Sequence, residues 1–210
     1  PDPTNVLKYP HIAMTGPAQR GYVASASSEN NGTTQGFAYL AFDGIADGTR
    51  GYHSDETYNT GIYSGSAKLT GPGPIDYDGE WIKLELPHKI KVTGVSFAPR
   101  VSPNPGDIYS TRIPHKGYIL GSNTGSDGSW ELVHSFDNVT TTEGVTKRID
   151  FTGTNAYYKH IAMVAEEVGL NATHGTVLNF SEMEFYGTGV DSIPIQIGGG
   201  NIDKVANFRV

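Results

Sequence analysis

Oxygen-bearing side chains and glycines alternate over a short stretch of the first third of the chain. Asp43, Asp47 and Thr49 supply carboxylate and hydroxyl oxygens, and Gly44 and Gly48 lie between them. Glycine lets the backbone turn tightly, so that carbonyl oxygens can also face inward. Calcium is a hard cation that binds several such oxygens. The stretch predicts a calcium-binding loop, although the two aspartates would also suit simple turn caps.

The adjacent pair Tyr52-His53 has the chemistry of a sugar contact. An aromatic ring offers a flat apolar face on which sugar C–H groups can stack, and imidazole nitrogens form hydrogen bonds with hydroxyls. Tyr58 and Tyr109 are further candidates for the stacking face. The same region therefore predicts both a structural metal and one edge of a binding site.

The composition excludes several classes of partner. The chain has 210 residues, a formal net charge of -7 and no cysteine. An acidic chain offers no basic field for phosphates, which argues against nucleic acid and anionic membranes and suits a neutral glycan. Without cysteine there is no thiolate zinc site, and no stretch has the apolar length that membrane insertion requires. The chain begins without Met, and we expect a piece of a longer extracellular or virion-associated polypeptide with further domains.

Many short segments with a period of two predict β-strands. The clearest are residues 80–86 and 90–98, with a turn expected at 87–89, and others follow at 117–122 and 130–136. Glycine and proline clusters separate them, and no amphipathic helix is visible between them. We therefore expect an all-β fold, an antiparallel β-sandwich of the jelly-roll kind.

Three regions are expected along the chain. Residues 1–20 are rich in proline and predict an irregular segment, and residues 21–187 hold the sandwich. Residues 188–210 change in character at a run of three glycines. This tail is either an arm or the start of a further module, or else one extra strand of the sandwich.

Six segments, in this order, resemble discoidin or coagulation-factor C-type domains (F5/8 type C), and family 32 carbohydrate-binding modules above all. The resemblance covers roughly residues 20–187. It rests on residues 41–44 with 52–54, 80–86, 91–95, 117–122 with 128–131, 159–164 and 181–187. The opening, with Tyr9-Pro10 and residues 22–28, is similar to surface-protein repeats of large algal DNA viruses, and the tail resembles the end of a laminin-G-like lectin sandwich.

The resemblance implies a structural calcium ion that joins the first loop to the last strand. Its side-chain ligands would be Asp43, Thr49 and Glu182, and backbone carbonyls would come from three further residues: Leu40, Asp47 and Ser181. Only the folded chain assembles such a set, so the ion would stabilise the fold.

The resemblance also implies a sugar site. His53, Arg100 and Asn104 match three of its positions, and the fourth, an aromatic residue from a late loop, has no counterpart: residues 166–176 hold His174 but no ring of Phe, Tyr or Trp. The predicted glycan contacts are Tyr52, His53, Arg100, Asn104 and His174.

Three functions are compatible with these residues. The first is a calcium-stabilised module that binds cell-wall or cell-surface polysaccharide. The second is a polysaccharide-degrading domain, a lyase that would use His53, Arg100, Tyr109 and His174 for charge neutralisation and proton transfer, or else a glycosidase. The third is a structural β-sandwich of a virion or extracellular assembly.

Overall fold

The computed structural model describes residues 6–30, 36–46, 50–102, 108–169 and 175–189, and these ranges are all-β. Two 3₁₀ helices, Ala38–Phe42 and Tyr109–Arg112, are the helical segments in them. The strands are β1 (Leu7–Tyr9), β2 (Ala18–Gln19), β3 (Tyr22–Ala26), β4 (Tyr52–His53), β5 (Tyr58–Asn59), β6 (Ile62–Tyr63), β7 (Lys68–Thr70), β8 (Asp76–Asp78), β9 (Glu80–Ala98), β10 (Pro114–Ser122), β11 (Glu131–Phe136), β12 (Lys147–Asp150), β13 (Tyr158–Val168), β14 (Asn179–Phe180) and β15 (Glu182–Gly189).

The strands pair antiparallel around β9, which serves two layers. Its first half pairs with β3 and β13, and β13 continues to β10 and β11. Its second half pairs with β15 and β12, and β15 continues to β1. This arrangement confirms the predicted antiparallel sandwich.

The turn expected at residues 87–89 is wrong, because β9 runs through it without a break. Glu85 pairs with His160 and Ile90 pairs with Tyr158, and the register shifts between these two pairs. Pro87 lies in this gap, where its missing N–H costs no ladder hydrogen bond. The strand therefore passes from one layer to the other at the proline instead of reversing.

The alternation in β9 buries one of its faces. Ile82, Leu84 and Leu86 are fully buried and belong to the main core between the layers. The opposite face carries Trp81 and Lys83, which are only partly buried. The strand thus presents an apolar row inward and a mixed row outward, as a two-layer fold requires.

A second, smaller core lies on the outer face of the layer that holds the first half of β9. Its buried residues are Leu69, Tyr77, Leu120, Trp130, Ala162 and Val164, and Trp81 packs against them. Leu69 and Tyr77 belong to the β7–β8 hairpin, which therefore covers this face. Its three-residue strands lie in a Gly/Pro-rich stretch and have too little alternation for the sequence to predict the hairpin.

The ends of the sandwich extend beyond the expected limits. The segment 1–20, expected to be irregular, contributes β1 and β2, because Tyr9 buries its ring while β1 pairs along β15. Strand β15 runs on to Gly189, two residues past the expected boundary. The rest of the tail, residues 190–210, lies outside the described residues. Within the described ranges, no helix has the length and apolarity to cross a membrane.

Candidate functional site

Asp43 lies at the end of the first 3₁₀ helix, at the entrance to the predicted calcium loop. Its Oδ1 accepts a hydrogen bond from the Ile45 N–H at 2.9 Å, which closes a local turn. Its Oδ2 lies 3.5 Å from the Arg50 guanidinium, and the Asp43 side chain is only 7% exposed. The turn-cap role foreseen for Asp43 is therefore present, and its nearly buried side chain also contacts the Arg50 guanidinium.

Glu182 brings a second carboxylate to the same place from the start of β15. Its Oε2 accepts a hydrogen bond from the Gly44 N–H at 3.0 Å, although the two residues are 138 positions apart in the chain. Burial, together with the negative charge of Asp43, raises the pKa of Glu182 to about 8. Two buried carboxylates thus repel each other where the first loop meets the last strand.

This pair fits the implied calcium site as far as the described residues reach. Calcium prefers hard oxygen donors such as these two carboxylates, and it would compete with the Arg50 guanidinium for the charge of Asp43. Leu40 and Ser181 are buried beside the pair, on the 3₁₀ helix and just before β15. The described residues hold no group of three or more acidic, histidine or cysteine side chains that could bind a metal. A calcium ion held by this pair would therefore need backbone carbonyls as further ligands, and Asp47 and Thr49 lie outside the described residues.

His53, the first predicted sugar contact, lies on β4, and β4 pairs with the strand that precedes Glu182. Its Nδ1 lies 2.7 Å from the Ser54 carbonyl, and because a carbonyl only accepts, Nδ1 carries the proton. Burial lowers the pKa of His53, and the charges of Arg112 and Arg100 lower it further. The ring is therefore neutral at pH 7, with a lone pair on Nε2 that can accept a hydrogen bond from a ligand hydroxyl.

The position of β4 is fixed by its pairing with β14. Asn179 pairs with His53, and its Nδ2 donates to the Tyr52 carbonyl at 2.6 Å. The Ser54 hydroxyl accepts from the Leu178 N–H at 2.9 Å. Strand β14, which pairs with the strand of His53, ends two residues before Glu182, so one short segment supports both candidate sites.

Arg100 and Tyr109 complete a polar surface around His53. Arg100 is buried, and its guanidinium carbon lies 5.8 Å from the centre of the Tyr109 ring. The Arg112 guanidinium lies over the same ring at 4.1 Å. The Tyr109 N–H donates to Glu143 at 2.7 Å, which holds the second 3₁₀ helix in place. The neutral imidazole of His53, the guanidinium groups of Arg100 and Arg112, and the ring of Tyr109 thus lie close together: His53, Arg100, Tyr109 and Arg112 form the His53 surface.

The prediction that Tyr52 and Tyr58 stack on a sugar is wrong. Tyr52 is fully buried, with its ring packed on Phe180 and its hydroxyl donating to the Ser28 carbonyl at 3.2 Å. Tyr58 is likewise buried, and its hydroxyl donates to the Ala165 carbonyl. Neither ring has a face open to a ligand, because both belong to the core. Of the candidate tyrosines, only Tyr109 is partly exposed.

Two further predicted contacts, Asn104 and His174, lie outside the described residues. Arg112 was not predicted, although it acts on both His53 and Tyr109. The sequence signal available was an arginine three residues after Tyr109, which is one turn of a 3₁₀ helix.

Several solved structures share this fold. CpGH89CBM32-5 from Clostridium perfringens, solved in complex with GalNAc-β-1,3-galactose, is 19% identical with a TM-score of 0.53, over 79% of this chain and 94% of that chain. Chitosan-binding module 1 from a chitosanase/glucanase of Paenibacillus sp. IK-5 is 21% identical with a TM-score of 0.51, over 80% and 96%. A family 89 glycoside hydrolase from Clostridium perfringens matches over 82% of this chain but 14% of its own length, with 14% identity and a TM-score of 0.52.

No protein-family model and no curated protein matches this sequence. The structural matches give no support to an origin in an algal virus, which remains a prediction from the opening segment. They confirm the predicted fold: the chain has the antiparallel β-sandwich architecture of CBM32 carbohydrate-binding modules.

Proposed function

We propose that the protein is a calcium-stabilised module that binds a cell-wall or cell-surface polysaccharide at the surface formed by His53, Arg100, Tyr109 and Arg112. The observation that carries the proposal is the neutral imidazole of His53 beside guanidinium groups and a partly exposed ring. Acceptor, donors and ring are the three contacts that a pyranose needs.

Each group has a distinct task. The Nε2 atom of His53 accepts from a sugar hydroxyl, since Nδ1 is engaged with the Ser54 carbonyl. The guanidinium of Arg100 donates to ring or hydroxyl oxygens, and its contact with Tyr109 limits its freedom before a ligand arrives. Tyr109 is partly exposed, and its ring would contact the apolar side of the sugar where the Arg112 guanidinium does not cover it.

Calcium has a structural task in this proposal. Asp43 and Glu182 would hold it, together with carbonyl oxygens of Leu40 and Ser181, and the ion would neutralise two repelling carboxylates. Because Glu182 follows β14, which pairs with the strand of His53, the ion would stabilise the support of the sugar site.

Binding of neutral glycans, measured on a glycan array and by calorimetry, tests the sugar site. His53→Phe keeps a ring but removes the acceptor, and Arg100→Met keeps the stem but removes the donors. Each is expected to weaken binding about tenfold or more, the range of a lost hydrogen bond to a charged or buried partner. Arg148→Met is the matched control, because Arg148 also lies over a tyrosine, Tyr186, but on β12.

Unchanged binding in both site variants, with melting temperatures like that of the control, would show that the site is elsewhere. The lyase alternative draws on the same His53, Arg100 and Tyr109, and it predicts unsaturated uronates after incubation with acidic polysaccharide. The glycosidase alternative predicts new reducing ends. A structural sandwich would give neither binding nor product.

A further inference from the structure

A polar cavity, separate from the His53 surface, lies on the outer face of the layer that contains the first half of β9. Its volume is about 140 Å³. Strands β3, β9 and β13 form its floor, and the turn between β10 and β11 forms one wall. The lining residues are Val23, Ser25, Lys83, Glu85, Thr124, Gly125 and His160. None of the residues predicted for the sugar site or the calcium loop lines this cavity.

The strand register places its polar side chains together. Ser25 pairs with Lys83 across β3 and β9, and Glu85 pairs with His160 across β9 and β13. Lys83 and Glu85 alternate along β9 with the buried Leu84, so both face outward. The arrangement is therefore fixed by the sheet rather than by a flexible loop.

Lys83 supplies the charge of the cavity. Its ammonium lies 4.6 Å from the centre of the Trp81 ring and 6.0 Å from that of Trp130. Burial lowers the pKa of Lys83, against the raising effect of the Asp127 charge. Within the described ranges, no carboxylate lies within salt-bridge distance of this ammonium. The two indole rings therefore position the partly desolvated ammonium of Lys83 at the cavity, where it can pair with an anion.

The carboxylate in the cavity does not cancel this charge. Glu85 is already paired with Lys159 at 2.9 Å. Glu85 and Lys159 therefore neutralise each other, and the Asp127 carboxylate acts on Lys83 from beyond salt-bridge distance. Lys83 is thus the charged group that the cavity offers to an anion, on a chain whose formal net charge is -7.

Neighbouring side chains can bind hydroxyl groups. Among the residues described, neither the Ser25 hydroxyl nor the His160 ring forms a side-chain hydrogen bond. Gly125 has a φ of +71°, and a Cβ atom there would lie 2.8 Å from the Nδ1 atom of His160. Only glycine lets this turn approach the imidazole so closely, which closes the wall of the cavity around His160.

We propose that this cavity binds an acidic saccharide, a sugar that carries a carboxylate or a sulfate group. Lys83 pairs with the anionic group, and Ser25, His160 and Glu85 bind hydroxyls of the same residue. The small volume suits one anionic sugar unit of a longer chain, since pockets for drug-sized ligands measure roughly 300 Å³ or more. The site is separate from the His53 surface, so the molecule would contact a polysaccharide at two places.

Calorimetry and amide chemical-shift mapping with short probes test the proposal. The probes are oligogalacturonate, its methyl ester and a sulfated galactan oligosaccharide. We expect the wild-type protein to bind at least one acidic probe but not the ester, with shifts at Ser25, Gly125 and His160. Lys83→Met keeps the stem over the indoles and is expected to weaken that binding about tenfold, as for a lost charge-assisted hydrogen bond.

Lys89→Met is the matched control, because Lys89 is an exposed lysine of the same strand, and it is expected to change affinity less than about twofold. Preference for the carboxylate or for the sulfate probe identifies the anion. Failure of both acidic probes, equal binding of the ester, or equal loss in both lysine variants overturns the proposal. If Arg100→Met abolishes acidic binding while Lys83→Met preserves it, the His53 surface is the acidic site: this second site is then refuted, and the proposed function stands.

Discussion

Glu182 couples the charge of the first loop to the free energy of folding. Burial and the charge of Asp43 raise its folded-state pKa to about 8, above the ordinary value of 4.5 that it has when unfolded. Below pH 4.5 both states bind the proton, and the contribution to stability is complete. As the pH rises towards 8, only the unfolded state loses the proton. The metal-free protein should therefore lose stability over this window, by at most about 1.4 kcal/mol per pH unit.

Glu182→Gln is expected to remove this pH dependence. Without metal, the variant should have a smaller decrease in melting temperature between pH 5 and 8 than the wild type, and calcium should raise its melting temperature less. Thermal unfolding over this pH range, with and without calcium, measures both effects. Glu166→Gln is the control, since Glu166 forms a surface ion pair with Lys116. Parallel pH curves for Glu182→Gln and wild type would contradict the pKa shift.

Single residues also show the limit of what the sequence predicts. The proximity of His53 and Arg100 agrees with the resemblance, since the charge of Arg100 acts on the imidazole, and the roles of both residues in sugar binding stay a prediction. The burial of Tyr52 was not, because the two-residue strand β4 shows no alternation that would tell its inward side from its outward side. Arg112 escaped notice because a 3₁₀ turn, and not a periodic element, places it over Tyr109.

At the scale of elements, the β7–β8 hairpin and Trp130 form a core of their own outside the main layers. Trp130 is fully buried there, and its Nε1–H has no hydrogen-bond partner within the described residues. Trp130→Ala should reduce the free energy of unfolding by about 3–5 kcal/mol through the cavity that it leaves. Trp130→Phe should cost roughly half as much or less, because it also removes an unpaired buried donor.

Urea unfolding followed by far-ultraviolet circular dichroism measures both changes. Leu132→Ala is the control on β11, the strand that begins directly after Trp130, since Leu132 is 44% exposed, and its effect should stay within about 0.5 kcal/mol. Equal losses for Trp130→Phe and Trp130→Ala would contradict the argument that the unpaired donor matters.

The sequence predicted a strand well where polar and apolar residues alternate over many positions, and poorly where they do so over few. Each half of β9 alternates over several residues, and both halves were found. Their continuity through Pro87 was not predictable, because proline is ordinarily a break and only the shift of partners at that point makes room for it. The hairpin of β7 and β8 was missed because each strand has three residues and one buried side chain.

At the scale of the whole molecule, the pairing of β1 with β15 and the contact between Gly44 and Glu182 bring distant parts of the chain together. A cation held by Asp43 and Glu182 would bind the folded state alone, because unfolding separates the two carboxylates. At a calcium concentration 100 times its Kd, such an ion adds about 2.7 kcal/mol to the free energy of unfolding, which corresponds to about 5–10 °C in Tm.

Removal of calcium by a chelator should therefore lower Tm by this amount, and added calcium should restore it. Magnesium should restore less, because it demands six ligands in near-ideal octahedral geometry, whereas calcium accepts irregular carbonyl and carboxylate sets. Asp43→Asn should show a smaller shift in either direction. The same chelation should weaken glycan binding at the His53 surface, since β14 links that surface to Glu182, but it should leave the Lys83 cavity unaffected, since that cavity lies on the long strands of the other layer. A Tm that chelator and calcium leave unchanged would exclude the metal and leave Arg50 as the partner that compensates Asp43.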